Sequence, residues 1–192
     1  MSNFSQGWKH FKTITRHKTM VMRNCFRVGL YRQGLTHDLS KYSWTEFRVG
    51  VKYYQGDRSP NTEERQVEGY STAWLHHKGR NKHHYEYWID IRQNRDAQLE
   101  GKPMPTRYVV EMFCDRVAAS KVYQGPAYTD SSALNYFKLE QMAGDLLMHP
   151  DTKALLTRLL TMLAEEGEAA AFAHIKHDIV KARYVEGSTG KF

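Results

Sequence analysis

The stretch HHKGRNKHHYEYW, residues 76–88, contains four of the chain's ten histidines. They form two adjacent pairs, His76-His77 and His83-His84, on either side of a short basic segment. Neutral imidazole binds Zn, Fe, Ni and Mn well, although histidines are also common on solvated loops. The two pairs therefore indicate either part of a metal site or a basic histidine-rich surface, and the choice depends on other candidate ligands in the chain.

Further candidate ligands occur at three places in the sequence. His37 and Asp38 are adjacent, His17 lies twenty residues upstream of His37, and Asp115 lies far downstream in EMFCDRVAASKVY. An adjacent His and Asp can serve different ions, because the carboxylate can bridge two metals while the imidazole binds one. Two divalent ions about 3.5–4 Å apart activate water and stabilise a leaving oxygen in phosphoryl transfer. The ordered set favours a dinuclear site.

Within each histidine pair the ligand is open. Residues seven positions apart share a face of a continuous helix, so 76 and 83, or 77 and 84, could act together. Gly79 makes that continuity doubtful. We expect one ligand from each pair and favour His77 and His84. His76 and His83 are then candidates for orienting ligands or contacting substrate, and any one member could instead be a solvated bystander.

Charged residues near these ligands are candidates for substrate binding and catalysis. Lys41, Arg80 and Lys82 could bind phosphate, and arginine is suited to a bidentate contact. Glu86 could hold a ligand's second nitrogen or act as a general base. Glu111 precedes the downstream aspartate by one helical turn and is expected on the same face. For each of these, a solvated surface charge is the competing interpretation.

Helical spacing predicts a single all-α domain, a helical bundle. The sequence Ser43-Trp44-Thr45-Glu46 fits a capping box that begins a helix. No strand-like alternation is long enough to predict a sheet. We expect one domain over residues 1–185 and a flexible tail over 186–192, with helices near 4–32, 44–54, 62–77, 106–123, 132–148, 151–165 and 168–185. Ligands on separate helices can converge at the centre of such a bundle.

Composition limits the class of protein only broadly. The chain has 192 residues, a formal charge of +7 and a pI near 9.3, which favours anionic partners such as nucleotides or nucleic acid. No apolar run is long enough for a membrane span, and the N-terminus lacks a signal-peptide core. Cys25 and Cys114 form no Cys-x-x-Cys motif, so we expect reduced thiols and a cytoplasmic protein. The oligomeric state is not indicated.

The ligand order resembles the H…HD…D signature of the HD superfamily. His17, His37-Asp38 and Asp115 match that signature, and HDLSK (37–41) resembles its HD-x-x-K variant. The segment CDRVAASKVYQG (114–125) resembles the helix that carries the last aspartate. The chain also resembles a small bacterial and phage family of unknown function that has a similar HH…N-x-HH-x-E block, a resemblance that implies no activity.

The HD resemblance implies an all-α core, metal-dependent phosphohydrolysis and a lysine, here Lys41, near substrate phosphate. It also implies that the intervening histidine pairs are the extra ligands of two-metal members. Such members include cyclic-dinucleotide phosphodiesterases, nucleotide hydrolases and di-iron oxygenases.

Three functions are compatible with these candidate residues. The leading hypothesis is hydrolysis of a phosphate ester or anhydride, in a nucleotide, with two divalent ions (Fe, Mn, Ni or Zn), in which Asp38 could position the attacking water. A di-iron oxygenase with the same ligands is the second. The third is a basic helical protein that binds nucleic acid or protein, with a structural or vestigial metal site; a structural zinc needs only four ligands, and this chain has more candidates.

Overall fold

α-Helices account for most of the chain in the computed structural model, which describes residues 3–93 and 98–183. The helices are α1 (Asn3–Val28), α2 (Tyr31–Thr36), α3 (Trp44–Lys52), α4 (Pro60–Glu68), α5 (Thr72–Lys78), α6 (Thr106–Gln124), α7 (Ser132–Ala143) and α8 (Pro150–His174). Short 3-10 helices cover Leu39–Tyr42, Tyr85–Trp88 and Gly125–Ala127, and a π-helix covers Ile175–Lys181. The all-α prediction is confirmed, while the tail predicted at 186–192 lies outside the described residues.

The long α1 helix turns one face towards the protein interior. Its buried residues recur every three or four positions, which is the spacing of a single helical face. They are His10, Ile14, His17, Val21, Asn24, Cys25 and Val28. Because His17 belongs to this buried face, the candidate ligand points between α1 and the elements that pack on it.

α6 is the central helix of the core. It packs against α1, α7 and α8, and its residues Val110, Phe113 and Val117 are fully buried among residues of those helices. The predicted helix over 106–123 is confirmed. A second layer is formed by α3, which packs on α1, α4 and α5. The end of α5 and the chain that follows it therefore lie close to the α1–α6 pair.

Two glycines break helices that the sequence suggested were continuous. Gly29 has φ +88° and ends α1 before α2 begins, so the helix predicted to reach residue 32 is too long. Gly69 has φ +82° and divides the predicted 62–77 helix into α4 and α5. Glycine adopts this left-handed conformation without the penalty of a Cβ atom. Val67 and Tyr70, on either side of this break, are exposed.

Two further predictions concern the start of α3 and the helices predicted after residue 150. Ser43 caps α3, as predicted, by accepting a hydrogen bond from the backbone of Glu46. The helices predicted at 151–165 and 168–185 meet where expected, because Gly167 (φ 83°, ψ 170°) is non-helical and puts a kink in α8. A π-helix, Ile175–Lys181, follows α8.

A two-stranded antiparallel hairpin corrects the expectation that strands are absent. Strand β1 (Ile89–Ile91) pairs with β2 (Leu99–Gly101), with Ile89 opposite Gly101. Three residues in each strand are too few to show a readable alternation of apolar and polar side chains. Within the described residues, no helix has both the length and the apolar character needed to cross a membrane.

The close approach of β2 to the segment before α8 is testable. A Cβ atom on Gly101 would overlap backbone atoms of Leu147 and His149, which cannot move as a side chain could. We expect Gly101→Ala to lower the free energy of unfolding by about 1–3 kcal/mol. Gly144→Ala is the control, because a Cβ there meets no neighbour within 4 Å and its φ of 163° is extended. Urea unfolding measures both, and equal stabilities would contradict the packing.

Candidate metal centre

The two histidine pairs are folded back on each other by the turn after α5. His77 lies in the last turn of α5, and the Asn81 amide donates hydrogen bonds to the His77 carbonyl at 2.8 Å and to Ser40 Oγ at 2.9 Å. The turn places His84 Nε2 2.9 Å from His77 Nε2. Gly79 thus interrupts the helix, as suspected, and the turn rather than a continuous face brings the pairs together.

The His37-Asp38 dipeptide reaches one site with both side chains because its backbone is unusual. Asp38 has φ 54° and ψ 26°, a left-handed conformation that costs energy for a residue with a Cβ. Asp38 is fully buried, and its Oδ2 lies 3.3 Å from His37 Nε2. Such a conformation, held in a buried position, is typical of residues at functional sites.

Four residues form a first donor group. His17, His37, Asp38 and Asp115 each offer a ligand atom within 4.8 Å of the others. His17 Nε2 lies 2.8 Å from Asp115 Oδ1 and 3.8 Å from Asp38 Oδ2. His37 Nε2 lies 3.5 Å from Asp115 Oδ1. Helices α1 and α6 and the turn after α2 supply these atoms.

A second donor group consists of Asp38, His77, His83 and His84. His77 Nε2 lies 3.3 Å and His83 Nε2 lies 3.4 Å from Asp38 Oδ1. Donor atoms around a tetrahedral ion with bonds of about 2.1 Å are about 3.4 Å apart, close to these separations. One ligand from each histidine pair was expected. The first pair contributes only His77 to this group, whereas the second pair contributes both His83 and His84.

Asp38 belongs to both groups and uses a different oxygen in each. Its Oδ2 faces His17 and His37, whereas its Oδ1 faces His77 and His83. A carboxylate shared in this way can bridge two metal ions, with each oxygen bound to one of them. The two donor groups therefore share one carboxylate, and the dinuclear arrangement expected from the sequence stays a prediction.

Glu111 holds two of these histidines from behind. Its Oε1 lies 3.0 Å from His37 Nδ1 and 3.3 Å from His83 Nδ1. These three residues could be counted as another donor group, but each ring already points its Nε2 at Asp38. We therefore assign Glu111 to orienting the rings, which fixes their tautomer and raises their basicity.

Glu46 has a similar role for the first histidine pair. Its buried carboxylate lies 2.6 Å from His76 Nδ1 and 2.8 Å from His77 Nδ1. His76 is in none of the donor groups and contacts Glu46 instead. Sequence reasoning missed this role, because Glu46 matched a capping box and its side chain was assigned to the start of α3.

The pKa shifts show how the cluster holds its charges. Burial raises the pKa of the Asp38 carboxyl, but His37, Lys41 and His77 outweigh it and hold that pKa well below its usual range. Burial also lowers the pKa of His37, and the surrounding carboxylates raise it well above its usual value. Burial lowers the pKa of His77, but Asp38 and Glu46 outweigh it and raise that pKa, as for His37.

Two ligand histidines, His17 and His84, shift the opposite way. Burial, together with Lys41, lowers the pKa of His17, and burial, together with His83 and His77, lowers that of His84. Ionised carboxylates and neutral imidazoles are the protonation states that ligate metal.

Buried atoms without hydrogen bonds point to the same place. His17 Nε2, His37 Nε2, His83 Nε2 and both oxygens of Asp38 have no hydrogen-bond partner of normal geometry among the described residues. Buried polar atoms in proteins are almost always satisfied, and a bound ion is a common reason for exceptions. These atoms converge on Asp38, so the donor set could hold metal ions.

Lys41 lies at the accessible edge of the cluster. Its Nζ is 2.6 Å from Asp38 Oδ2, and its side chain is 28% exposed, whereas the His37 side chain is 0% exposed. Asp115 is 15% exposed. Solvent therefore reaches the cluster beside Lys41 and Asp115, at the first donor group.

Three predicted site residues remain: Arg80, Lys82 and Glu86. Arg80 and Lys82 are exposed, and Lys82 Nζ lies over the Tyr87 ring. Glu86 is in none of the donor groups. Burial raises the pKa of Glu86, and its closest charges include Arg116 and Lys78. Roles for these residues in substrate binding or catalysis stay predictions.

Comparison with known proteins identifies the family. The sequence model of the family DUF5662, a family of unknown function, matches residues 6–162 of the chain. The chain therefore belongs to that family. Neither the curated proteins nor the solved structures contain a match to this chain. The family range includes every residue of both donor groups, but it assigns no chemistry to them.

The orienting role of Glu111 can be tested by replacing it with the amide of the same size. In the wild type, one charged oxygen of Glu111 faces Nδ1–H of both His37 and His83, and a neutral amide would hold these two groups more weakly. We therefore expect Glu111→Gln to weaken Zn²⁺ binding about 10- to 100-fold. Competition with a chromophoric chelator measures the affinity. Glu86→Gln is the control and should bind like the wild type. Unchanged affinity in Glu111→Gln would show that this carboxylate does not orient the ligands.

Proposed function

We propose that the protein is a metal-dependent phosphohydrolase that cleaves a phosphate ester or anhydride with a dinuclear site. The observation that carries the proposal is the sharing of Asp38 between two four-residue donor groups. A structural zinc ion is bound by four protein ligands, which leave no open coordination position. The two donor groups together contain seven residues, one of them the shared Asp38, which is more than one ion needs and supports a site for two.

The chain's own residues define how the site would work. His17, His37, Asp38 and Asp115 would hold one divalent transition-metal ion, and Asp38, His77, His83 and His84 the other. Such ions supply Lewis acidity and a water of lowered pKa. Glu111 and Glu46 keep the ligand rings in place from outside both groups.

An anionic substrate fits the accessible edge of the cluster. Lys41 stays protonated there: burial lowers its pKa, but the Asp38 and Asp115 carboxylates outweigh burial and raise it. In the metal-loaded site, the Lys41 ammonium would contact a phosphate oxygen of the substrate. Tyr123 is half-exposed, and its hydroxyl is close enough to Lys41 and Asp115 to feel both charges. An aromatic ring beside the phosphate position supports a nucleotide as substrate.

The test is hydrolysis by metal-loaded protein. With Mn²⁺, Ni²⁺, Zn²⁺ or Fe²⁺ added separately, we expect release of nitrophenol from bis(p-nitrophenyl) phosphate or of phosphate from nucleotides. Asp38→Asn should lower kcat/KM at least about 1000-fold because it disrupts both donor groups. Lys41→Met should raise KM about 10-fold, with a smaller effect on kcat, by removing a charge-assisted phosphate contact.

Arg80→Ala and Lys82→Ala are matched surface variants that test the other two predicted phosphate contacts. Changes in KM of less than about twofold in these two would remove them from the substrate site, since a charge-assisted phosphate contact is worth more than that. Absence of hydrolysis with every metal, together with oxygen uptake by the iron-loaded protein, would overturn the phosphohydrolase proposal in favour of a di-iron oxygenase.

A further inference from the structure

The positive charge of the chain is concentrated at one end of the sequence. Residues 1–45 contain eight lysines and arginines against one acidic residue, Asp38, which equals the net +7 of the whole chain. The remaining residues are balanced. Since Asp38 and Lys41 belong to the metal centre, most of the excess belongs to α1 and has no part in that site.

Helix α1 arranges this charge as a line along its outer face. Five exposed residues follow one another at intervals of three, four, seven and four positions, which keeps them on one face of a helix. At 1.5 Å per residue they extend over about 27 Å. We call this the basic stripe; it consists of Lys9, Lys12, Arg16, Arg23 and Arg27.

The middle of the basic stripe lacks acidic partners in the part of the chain that the structure describes. Arg27, at one end, pairs with Glu168 and lies over the Phe172 ring. Lys12, Arg16 and Arg23 form no ion pair with any residue in the described ranges. α1 contains no acidic residue. These three like charges, which have no acidic partner among the described residues, are complementary to a linear polyanion.

Exposed aromatic rings lie beside the other end of the basic stripe. Phe4 is 86%, Trp8 54% and Trp44 76% exposed, and the Trp8 ring stacks on Phe11 with centroids 5.7 Å apart. These four rings line a groove of about 670 Å³ between the start of α1 and α3, the aromatic groove. Lys12 Nζ lies 5.1 Å from the centre of the Trp8 ring, so the aromatic groove and the basic stripe are continuous.

We propose that this surface binds single-stranded nucleic acid. The backbone phosphates would follow the basic stripe, and unstacked bases would lie on the Trp8 and Trp44 rings in the aromatic groove. Nonspecific single-strand binding sites combine these two features, a positive track and stacking platforms. The proposal does not depend on the phosphohydrolase activity, because none of the residues named is a metal ligand.

Two other anionic occupants fit less well. A duplex would use the charges but leaves the exposed rings without a function, since its bases are already stacked. A membrane surface suits a helix that carries apolar side chains along its length beside the charges. In this protein the exposed rings of α1 lie within its first three turns, whereas the basic residues extend from Lys9 to Arg27, near the end of the helix.

Binding is measured by fluorescence anisotropy with a labelled 20-mer of thymidine, beside a 20-base-pair duplex, over a range of salt concentrations. The charge-reversal variant is Lys12→Glu, Arg16→Glu, Arg23→Glu. We expect it to weaken single-strand binding at least about 100-fold at low salt. Each lost phosphate contact should also reduce the slope of log K against log salt by about 0.7. Trp8→Ala and Trp44→Ala should each weaken single-strand binding about 10-fold and leave duplex binding unchanged.

The matched control is Arg107→Glu, Lys138→Glu, Lys153→Glu, which makes the same change in net charge at exposed positions on α6, α7 and α8. It should retain most of the binding, and Asp38→Asn should retain all of it. An equal loss in both charge variants would reduce the effect to net charge and overturn the proposal. So would tighter binding to the duplex, or binding to phosphatidylserine vesicles without binding to the 20-mer.

Discussion

A buried carboxylate, Asp38, is the group on which the arrangement of the site depends. A carboxylate in the interior is costly unless it is paired, and its neighbours here are His37, Lys41, His77 and His83. Those neighbours come from the turn after α2, from the end of α5 and from the segment that follows. Asp38 therefore connects the α3–α5 layer to the α1–α6 core, and its left-handed backbone is maintained by contacts on every side.

The two glutamates extend that constraint outward. Glu111 on α6 fixes His37 and His83, and Glu46 on α3 fixes His76 and His77. A histidine ring held at Nδ1 by a carboxylate presents Nε2 in a defined direction. The Nε2 atoms of His37, His77 and His83 are therefore directed towards Asp38 by the carboxylates behind their rings.

Much of this centre could be predicted from residue types and order alone. His17, His37-Asp38 and Asp115 were expected to meet, and they do. The inward face of α1 was only partly visible because His10, His17 and Asn24 occupy buried positions where apolar residues would mark the pattern. The contact of Glu46 with His76 and His77 could not be predicted, because the spacing of Glu46 from Ser43 is already explained by a capping box at the start of α3. The break at Gly69 depends on the left-handed backbone of one glycine, and three-residue strands are too short to give a readable alternation.

The most direct test of a bridging Asp38 is metal stoichiometry by elemental analysis, on protein without a histidine tag and reconstituted with Zn²⁺ or Mn²⁺. The wild type should hold two ions per chain. His17→Ala and His84→Ala, which each alter one donor group, should retain about one. Asp38→Ala should retain none, and His76→Ala, outside both groups, should retain two. One ion in the wild type, or full occupancy in Asp38→Ala, would contradict the shared carboxylate.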